Sequence, residues 1–334
     1  MSAQSAPQQS AGAACNLLRS EDQRRAGLEA LRGGRYAAAR AAFQESFTAC
    51  PAQHGILLQL SRVDAQLRDF PGAIATAQQF LELEPASVEG RLALANAYFM
   101  AQRPQEALRE AEVVLKADPA QATALKLKGN IKYLTGDFDA ALATFVTLLD
   151  KHPEDEEGPY MLGRIYYQEK RIDHATGQFQ RLLKLNPKSY KAFDNLGLCY
   201  QALGDTDLAT RYFLTAIKLV EKDHPDYDWA YANLASLLLD KGEAEKAFAF
   251  ASQAADRNPN SARNFYIGGK ALNKLGKNEL AANWLERSVS LDPKYPDPLY
   301  LLSRVYAQLG QHEKAKEMLA KFEAVKKTAP RERR

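Results

Sequence analysis

The sequence of 334 residues has little of what marks most functional classes. It contains three cysteines, too few for a disulfide-built scaffold or a four-cysteine zinc site. No apolar run approaches the roughly 18 residues that a membrane-spanning helix needs. The charge is nearly balanced at +3, whereas dedicated nucleic-acid binders usually carry a larger basic excess. With 46% hydrophobic residues, we expect a folded, soluble protein without a membrane span.

Motifs of enzymes and metal sites are also missing. No two histidines have the spacing of a usual zinc site. There is no phosphate-binding loop with its lysine and no nucleophile elbow. Gly268-Gly269-Lys270 resembles a fragment of a phosphate loop, but we interpret its glycines as small residues required for helix packing. We therefore expect no catalytic residue, no metal, no cofactor and no small-molecule substrate.

What the sequence does contain is an internal period. A spacing of 34 residues separates Pro51, Pro85, Pro119, Pro153 and Pro187. The same spacing separates Ala39, Ala73, Ala107, Ala141, Ala175 and Ala209. A four-residue insertion lies between Ala209 and Pro225, after which both series resume. A fixed period of this length is typical of repeat architectures, and it overrides the two globular domains that the chain length alone suggests.

Each period has the pattern of two helices. In one of them, Leu196, Cys199, Tyr200 and Leu203 follow the i, i+3, i+4, i+7 spacing of one helical face. A Gly-Asp turn interrupts the pattern, and a second amphipathic segment follows. The proline then ends this segment, because the residue before a proline disfavours the α region. The sequence therefore predicts a series of helix-turn-helix units.

The period, with a small residue at its eighth place, alanine at its twentieth and proline at its thirty-second, resembles the tetratricopeptide repeat. The resemblance implies an all-α fold, an α-solenoid in which repeats form a right-handed superhelix. Nine repeats fit, and they cover residues 20–53, 54–87, 88–121, 122–155, 156–189, 190–227, 228–261, 262–295 and 296–329. We expect residues 1–19 to be a disordered tail and residues 330–334 to be a basic one. The insertion in the sixth repeat should lengthen its second helix by about one turn, although a hinge is an alternative.

In this family the first helices line a concave groove, so the resemblance implies which side chains a partner meets. The groove candidates are Phe99, Lys126, Asn130, Tyr133, Tyr160, Arg164, Tyr167, Lys191, Trp229, Arg263, Tyr266, Lys270, Lys274, Tyr300 and Arg304. Phe99, Tyr133 and Tyr167 occupy the same place in successive repeats, which predicts an aromatic ladder. Basic side chains outnumber acidic ones at the groove places. Tyr, Trp and Arg are the residues that dominate binding hot spots.

The resemblance therefore implies a protein-interaction scaffold, not an enzyme, that binds a peptide or protein segment in the groove, and segments with acidic side chains are among the expected partners. Lys126, Asn130 and Lys191 match part of the family's clamp for a C-terminal carboxylate, but Met161 stands at the place of the central asparagine. Asn195 is at the place of the last basic residue of the clamp. Two alternatives remain. One is a regulatory or assembly subunit of a larger enzyme complex, and the less favoured one is an RNA-binding helical repeat.

Cys15 and Cys50 stand near the two ends of the first helix pair. In an antiparallel hairpin these ends are neighbours, so a disulfide could tie the N-terminal segment to the first repeat in an oxidising compartment. The alternative is two free thiols in a reducing cytosol. The sequence leaves the compartment open, either cytoplasmic or, if a signal peptide is missing from the chain, exported.

Overall fold

A computed structural model gives the fold for residues 15–328. Within these residues it contains eighteen α-helices and no β-strand, which confirms the all-α repeat fold. The predicted basic tail 330–334 and most of the predicted tail 1–19 lie outside the described residues.

Helices alternate along the chain as the first and second members of nine pairs. The first helices are α1 (Leu17–Arg32), α3 (Gly55–Gln66), α5 (Val88–Met100), α7 (Ala122–Leu134), α9 (Glu157–Gln168), α11 (Tyr190–Ala202), α13 (Trp229–Asp240), α15 (Ala262–Lys274) and α17 (Pro296–Gln308). The second helices are α2 (Tyr36–Ala49), α4 (Phe70–Leu83), α6 (Pro104–Ala117), α8 (Phe138–Lys151), α10 (Ile172–Leu185), α12 (Thr206–Val220), α14 (Ala244–Arg257), α16 (Asn278–Leu291) and α18 (His312–Thr328).

The first helix begins earlier than the sequence indicates. Its first residue is Leu17, whereas the repeat is predicted from Ser20. The side chain of Asn16 accepts a hydrogen bond from the Arg19 amide at 3.1 Å, and an asparagine in this position satisfies a donor that the helix itself leaves free. Residues 17–19 of the predicted tail are therefore helical.

The chain divides into two compact units, an N-terminal unit that ends at Gly158 and a C-terminal unit that begins at Pro159. In the N-terminal unit, α3 packs on α5 and α5 on α7. In the C-terminal unit, α11 packs on α13, α13 on α15 and α15 on α17. Within each unit these first helices therefore adjoin one another, and we call the surface that they share its first-helix face.

Small residues let the two helices of a repeat approach closely. A methyl group on Gly163 would lie 2.6 Å from the ring of Phe179, and one on Gly129 would lie 2.7 Å from Phe145. Such a group would overpack the contact. Gly269 is similarly close to Leu285, at 2.7 Å, so the Gly268-Gly269 pair serves helix packing as predicted.

The insertion in the sixth repeat does not lengthen its second helix by a turn, and that prediction is wrong. Helix α12 has 15 residues and ends at Val220, against 14 in α10. Most of the extra residues lie in the connection to α13, where Pro225 restricts the residue before it. Arg257 of α14 donates hydrogen bonds to the carbonyls of Pro225 at 3.1 Å and His224 at 3.3 Å. These bonds hold the connection against α14.

Candidate functional site

The two clamp candidates of the N-terminal unit already contact carboxylates of the chain. On α7, Lys126 Nζ lies 2.5 Å from Asp155 Oδ2 and 3.8 Å from Glu157 Oε2. Asn130 Nδ2 donates a hydrogen bond of 2.8 Å to Glu157 Oε1. An acidic ligand would have to displace these partners. Sequence reasoning missed these contacts because Asp155 ends the repeat of Lys126 and Glu157 lies at the start of the next one, and the period does not indicate which of these side chains meet.

The predicted aromatic ladder is divided between the two units, and its members are half-buried. Phe99 packs against the apolar core of the N-terminal unit, and the Tyr133 ring lies 5.6 Å from that of Phe138. Tyr167, in the C-terminal unit, packs against the core around Phe179, and burial raises the pKa of its phenol. Each ring therefore contributes to packing within its own unit.

The C-terminal unit presents two exposed aromatic side chains. Trp229, in the first turn of α13, is 56% exposed, and Tyr300 of α17 is 45% exposed. They are the only exposed aromatic residues in the part of the chain that the structure describes. Both were predicted as groove residues. Arg263 Cζ lies 5.5 Å from the centroid of a Trp229 ring, within cation–π range.

Lys126 of the N-terminal unit forms an ion pair, whereas several predicted groove cations on the first-helix face of the C-terminal unit form none within the described residues. Ion pairs within residues 159–328 include those of Arg171, Lys241, Lys246, Lys316 and Lys321. These five cations are not predicted groove residues. Within those residues, the groove cations without an ion pair include Lys191, Arg263, Lys270, Lys274 and Arg304. The acids Asp240 and Asp297 are exposed on the same helices.

Tyr160 and Tyr266 join this face through contacts with cations and rings. The Tyr160 ring has Lys191 Nζ and Arg164 Cζ each 5.6 Å from its centroid. The Tyr266 ring meets that of Tyr295 edge to face at 5.4 Å. Burial raises the pKa of Tyr266 and brings that of Tyr295 to about 12, and the charge of Asp297 adds to both shifts. The two half-buried rings therefore stay neutral.

A buried chain of hydrogen bonds lies beneath Trp229. Tyr227 donates from its phenol to Asp194 Oδ2 at 2.6 Å, and Asn233 Nδ2 donates to Asp194 Oδ1 at 2.8 Å. Arg263 Nη2 donates to Asn233 Oδ1 at 2.8 Å. Burial raises the pKa of Asp194, although the bonds from Tyr227 and Asn233 act in the opposite direction. No sequence pattern indicated Tyr227, because it precedes α13 in a connection without periodicity.

No metal centre or membrane helix is found in residues 15–328. No group of three or more His, Cys, Asp or Glu side chains in this range is placed to hold a metal ion. No helix there combines the length and the apolar character needed to cross a bilayer.

Cys15 and Cys50 meet at the start of the N-terminal unit. Their Cα atoms are 4.3 Å apart and their sulfurs are joined in a disulfide. The neighbouring Asn16 amide donates to the Ala49 carbonyl at 2.8 Å, so backbone contacts also hold this segment to the end of α2. The third cysteine, Cys199, is buried, and burial raises the pKa of its thiol to about 11.

Comparison with known proteins identifies the repeat. Models of the family described as "Tetratricopeptide repeat" match residues 58–122, 133–197 and 190–260, and one described as "TPR repeat" matches residues 269–315. Comparison with the curated proteins gives no significant match.

Two solved structures have a similar fold. A tetratricopeptide repeat protein from Parabacteroides merdae is 22% identical with a TM-score of 0.62, over 75% of this chain and 98% of that one. A chain of the APC/C hetero-tetramer Cut9–Hcn1 is 17% identical with a TM-score of 0.65, over 87% of this chain and 56% of that one. At these identities the likeness concerns the fold alone. With four family models matched along its length, the chain belongs to the tetratricopeptide repeat family, whose members serve generally as protein-interaction scaffolds.

Proposed function

We propose that the first-helix face of the C-terminal unit binds an extended protein segment that carries acidic side chains. The observation that carries this proposal is that exposed aromatic rings and cations that lack an acidic partner lie on adjoining first helices. Trp229 and Tyr300 are exposed, and Lys191, Arg263 and Lys270 on neighbouring first helices have no ion pair in the described residues.

The two kinds of side chain have different roles in binding. An aromatic anchor buries a large apolar area at a small entropic cost, and its truncation typically costs about 2–4 kcal/mol. Cations around the anchor favour an acidic partner and accelerate its encounter. Because the first helices are packed on one another, the anchors are preorganised, and this reduces the cost of ordering them on binding.

The N-terminal unit offers a weaker site for an acidic segment. Lys126 and Asn130 are engaged by Asp155 and Glu157, and Arg24 pairs with Glu21 at 2.7 Å. An incoming carboxylate must compete with these intramolecular partners. This contrast supports the assignment to the C-terminal unit.

Selection of random peptides displayed on phage tests the proposal with the full chain as bait. The most enriched peptide is synthesised and titrated into a Trp284→Phe variant, in which Trp229 is the only tryptophan. We expect the enriched peptides to share Asp or Glu near an apolar residue. Their binding should shift the emission of Trp229 to the blue, because the ring loses contact with water.

Calorimetry with two variants checks the contribution of the anchor. Trp229→Ala should weaken peptide binding roughly thirtyfold or more, which corresponds to about 2 kcal/mol. Leu214→Ala is the matched control, because Leu214 is 44% exposed but belongs to the second helix α12. Equal affinity in Trp229→Ala and wild type would contradict the proposal. So would the absence of enriched peptides combined with salt-sensitive binding of single-stranded RNA.

A further inference from the structure

We infer that Arg263 recognises a carboxylate of the bound segment, and that Tyr227, Asp194 and Asn233 position its guanidinium for this purpose. The inference rests on the proposed function and adds a specificity-determining residue to it. Arg263 is the cation that contacts the exposed ring of Trp229, with its Cζ 5.5 Å from the ring centroid.

The hydrogen bonds beneath Arg263 determine the orientation of the Asn233 amide. Each oxygen of the buried Asp194 carboxyl faces a donor, and the guanidinium of Arg263, which donates hydrogen bonds but accepts none, faces an acceptor. Tyr227 supplies one donor at 2.6 Å and Asn233 Nδ2 supplies the other at 2.8 Å. The oxygen of the Asn233 amide therefore faces Arg263, where it accepts from Nη2 at 2.8 Å.

The reverse orientation of this amide is unfavourable. A flipped Asn233 would place its oxygen against Asp194 and its NH2 group against Arg263. Two acceptors would then face each other, and so would two donors, in a site where Asp194 and Asn233 are each only 3% exposed. Unsatisfied polar groups in a buried site are costly. The chain of bonds therefore holds one nitrogen of the guanidinium in a defined place.

The rest of the guanidinium is available to a ligand. Arginine has five N–H donors in a planar fork that matches a carboxylate. Within residues 15–328, the side-chain hydrogen bond of Arg263 is the one from Nη2 to Asn233. Partial burial lowers the pKa of Arg263, although the nearby carboxyls of Asp194 and Asp228 act in the opposite direction. A poorly hydrated guanidinium gains more from a carboxylate than a fully hydrated cation does.

The other cations of the face lack such support. Lys191 and Arg304 are exposed, and Lys274 has a single bond of 3.3 Å to the Leu239 carbonyl. They contribute to the field that attracts an acidic segment. Arg263 alone among them combines contact with the exposed anchor and a buried positioning network, so it is the residue expected to select an acid at one place in the segment.

Paired peptides measure this selectivity. The peptide enriched by the full chain is compared with versions in which each Glu or Asp is replaced by Gln or Asn in turn. Wild type should lose roughly tenfold to a hundredfold in affinity at one acidic position, as expected for a hydrogen bond between charged groups. Arg263→Gln should bind both peptides of that pair almost equally. Arg211→Gln is the matched control, because it removes an exposed arginine from the second helix α12, and it should keep the wild-type preference.

Tyr227→Phe tests the positioning role, since it removes the hydroxyl and keeps the ring. It should reduce the preference for the acidic peptide severalfold while it leaves the affinity for the neutral peptide unchanged. Asn233→Ala interrupts the same chain next to Arg263 and serves if Tyr227→Phe does not fold. A merely structural role would lower both affinities together, and that result would overturn the positioning role.

The failures of the two proposals are distinguishable. If peptides are enriched and depend on Trp229, but Arg263→Gln keeps the acidic preference, only the assignment of Arg263 is overturned. If the enriched peptides bind through Trp229 and have no acidic position, the carboxylate specificity is overturned. If no peptide is enriched, or binding does not depend on Trp229, the proposed function fails and the role of Arg263 fails with it.

Discussion

Tyr227 donates a hydrogen bond of 2.6 Å to Asp194, a carboxylate that is 3% exposed. Removal of the hydroxyl leaves one buried carboxylate oxygen without its donor, which typically costs about 1–3 kcal/mol. We therefore expect Tyr227→Phe to lower the free energy of unfolding of the C-terminal unit by about this amount. Urea titration followed by tryptophan emission measures it, because both tryptophans, Trp229 and Trp284, belong to this unit.

Tyr300→Phe is the control for the loss of a phenol hydroxyl. The Tyr300 ring is 45% exposed, so water satisfies its hydroxyl in the folded and unfolded states alike. Its replacement should change the unfolding free energy by less than about 0.5 kcal/mol. Equal effects of the two variants would show that the bond to Asp194 does not stabilise the unit.

Asp194 should make the stability of the C-terminal unit depend on pH. Burial raises the pKa of its carboxyl in the folded state above the unfolded value. Between the two values the folded state binds more protons, so stability falls as the pH rises through this window. We expect the wild type to gain stability relative to Asp194→Asn as the pH is lowered through this window, from the raised pKa towards the ordinary pKa of an aspartate. Urea titrations at several pH values, read by tryptophan emission, measure this difference.

Asp256→Asn removes the same charge from an exposed position on α14 and is the control for the pH series. Its stability curve should run nearly parallel to that of the wild type through the same range. If the curve of Asp194→Asn is also parallel, proton binding by Asp194 does not contribute.

Two glycines of neighbouring helices should respond to alanine in opposite directions. A methyl group on Gly163 of α9 would lie 2.6 Å from Phe179, whereas one on Gly177 of α10 would have no atom within 4 Å. Overpacking typically costs about 1–3 kcal/mol, and alanine favours an open helical site over glycine by up to about 1 kcal/mol. We expect Gly163→Ala to destabilise the C-terminal unit and Gly177→Ala to stabilise it slightly. Equal effects in urea titrations would contradict close packing at Gly163.

The positions of the helices could be predicted from the sequence because their determinants recur within each repeat. Helices α5, α7 and α11 begin at the predicted first residues of their repeats, Val88, Ala122 and Tyr190. Ser87 and Ser189 immediately before two of these helices accept hydrogen bonds from backbone amides at their start. A capping residue and a small packing residue both belong to a single repeat. The period is therefore enough to predict where they lie.

The partners of charged side chains could not be predicted in the same way. The family resemblance puts both Lys126 and Lys270 at groove places, but the period carries no information about which acids lie beside them. The structure gives Lys126 the partner Asp155. Asp64 shows the same limitation, because nothing in the period indicates that it is buried beside Arg40, with a nitrogen–oxygen distance of 2.9 Å.

The bond between Cys15 and Cys50 should stabilise the first repeat. The two residues are 35 positions apart, and closure of a loop of this length removes unfolded-state entropy worth about 4 kcal/mol. Because repeats contact mainly their neighbours, the effect of reduction should be largest in α1 and absent from the tryptophan signal of the C-terminal unit. Hydrogen exchange of α1 amides with and without reductant measures it. The expected result is faster exchange that is largest in α1.

Thiol titration tests the disulfide directly. The folded protein should show no reactive thiol at neutral pH, because Cys199 is buried with a pKa of about 11 and the thiolate is the reactive form. Unfolding without reductant should expose the thiol of Cys199 alone, and reduction should bring the total to three cysteines. A Cys50→Ser variant should release Cys15 and raise the unreduced, unfolded value from one thiol to two. Three thiols in the unreduced, unfolded wild type would show that Cys15 and Cys50 remain free. In that case the only bonds between the start of α1 and the end of α2 at this point would be non-covalent, such as the one from the Asn16 amide to the Ala49 carbonyl.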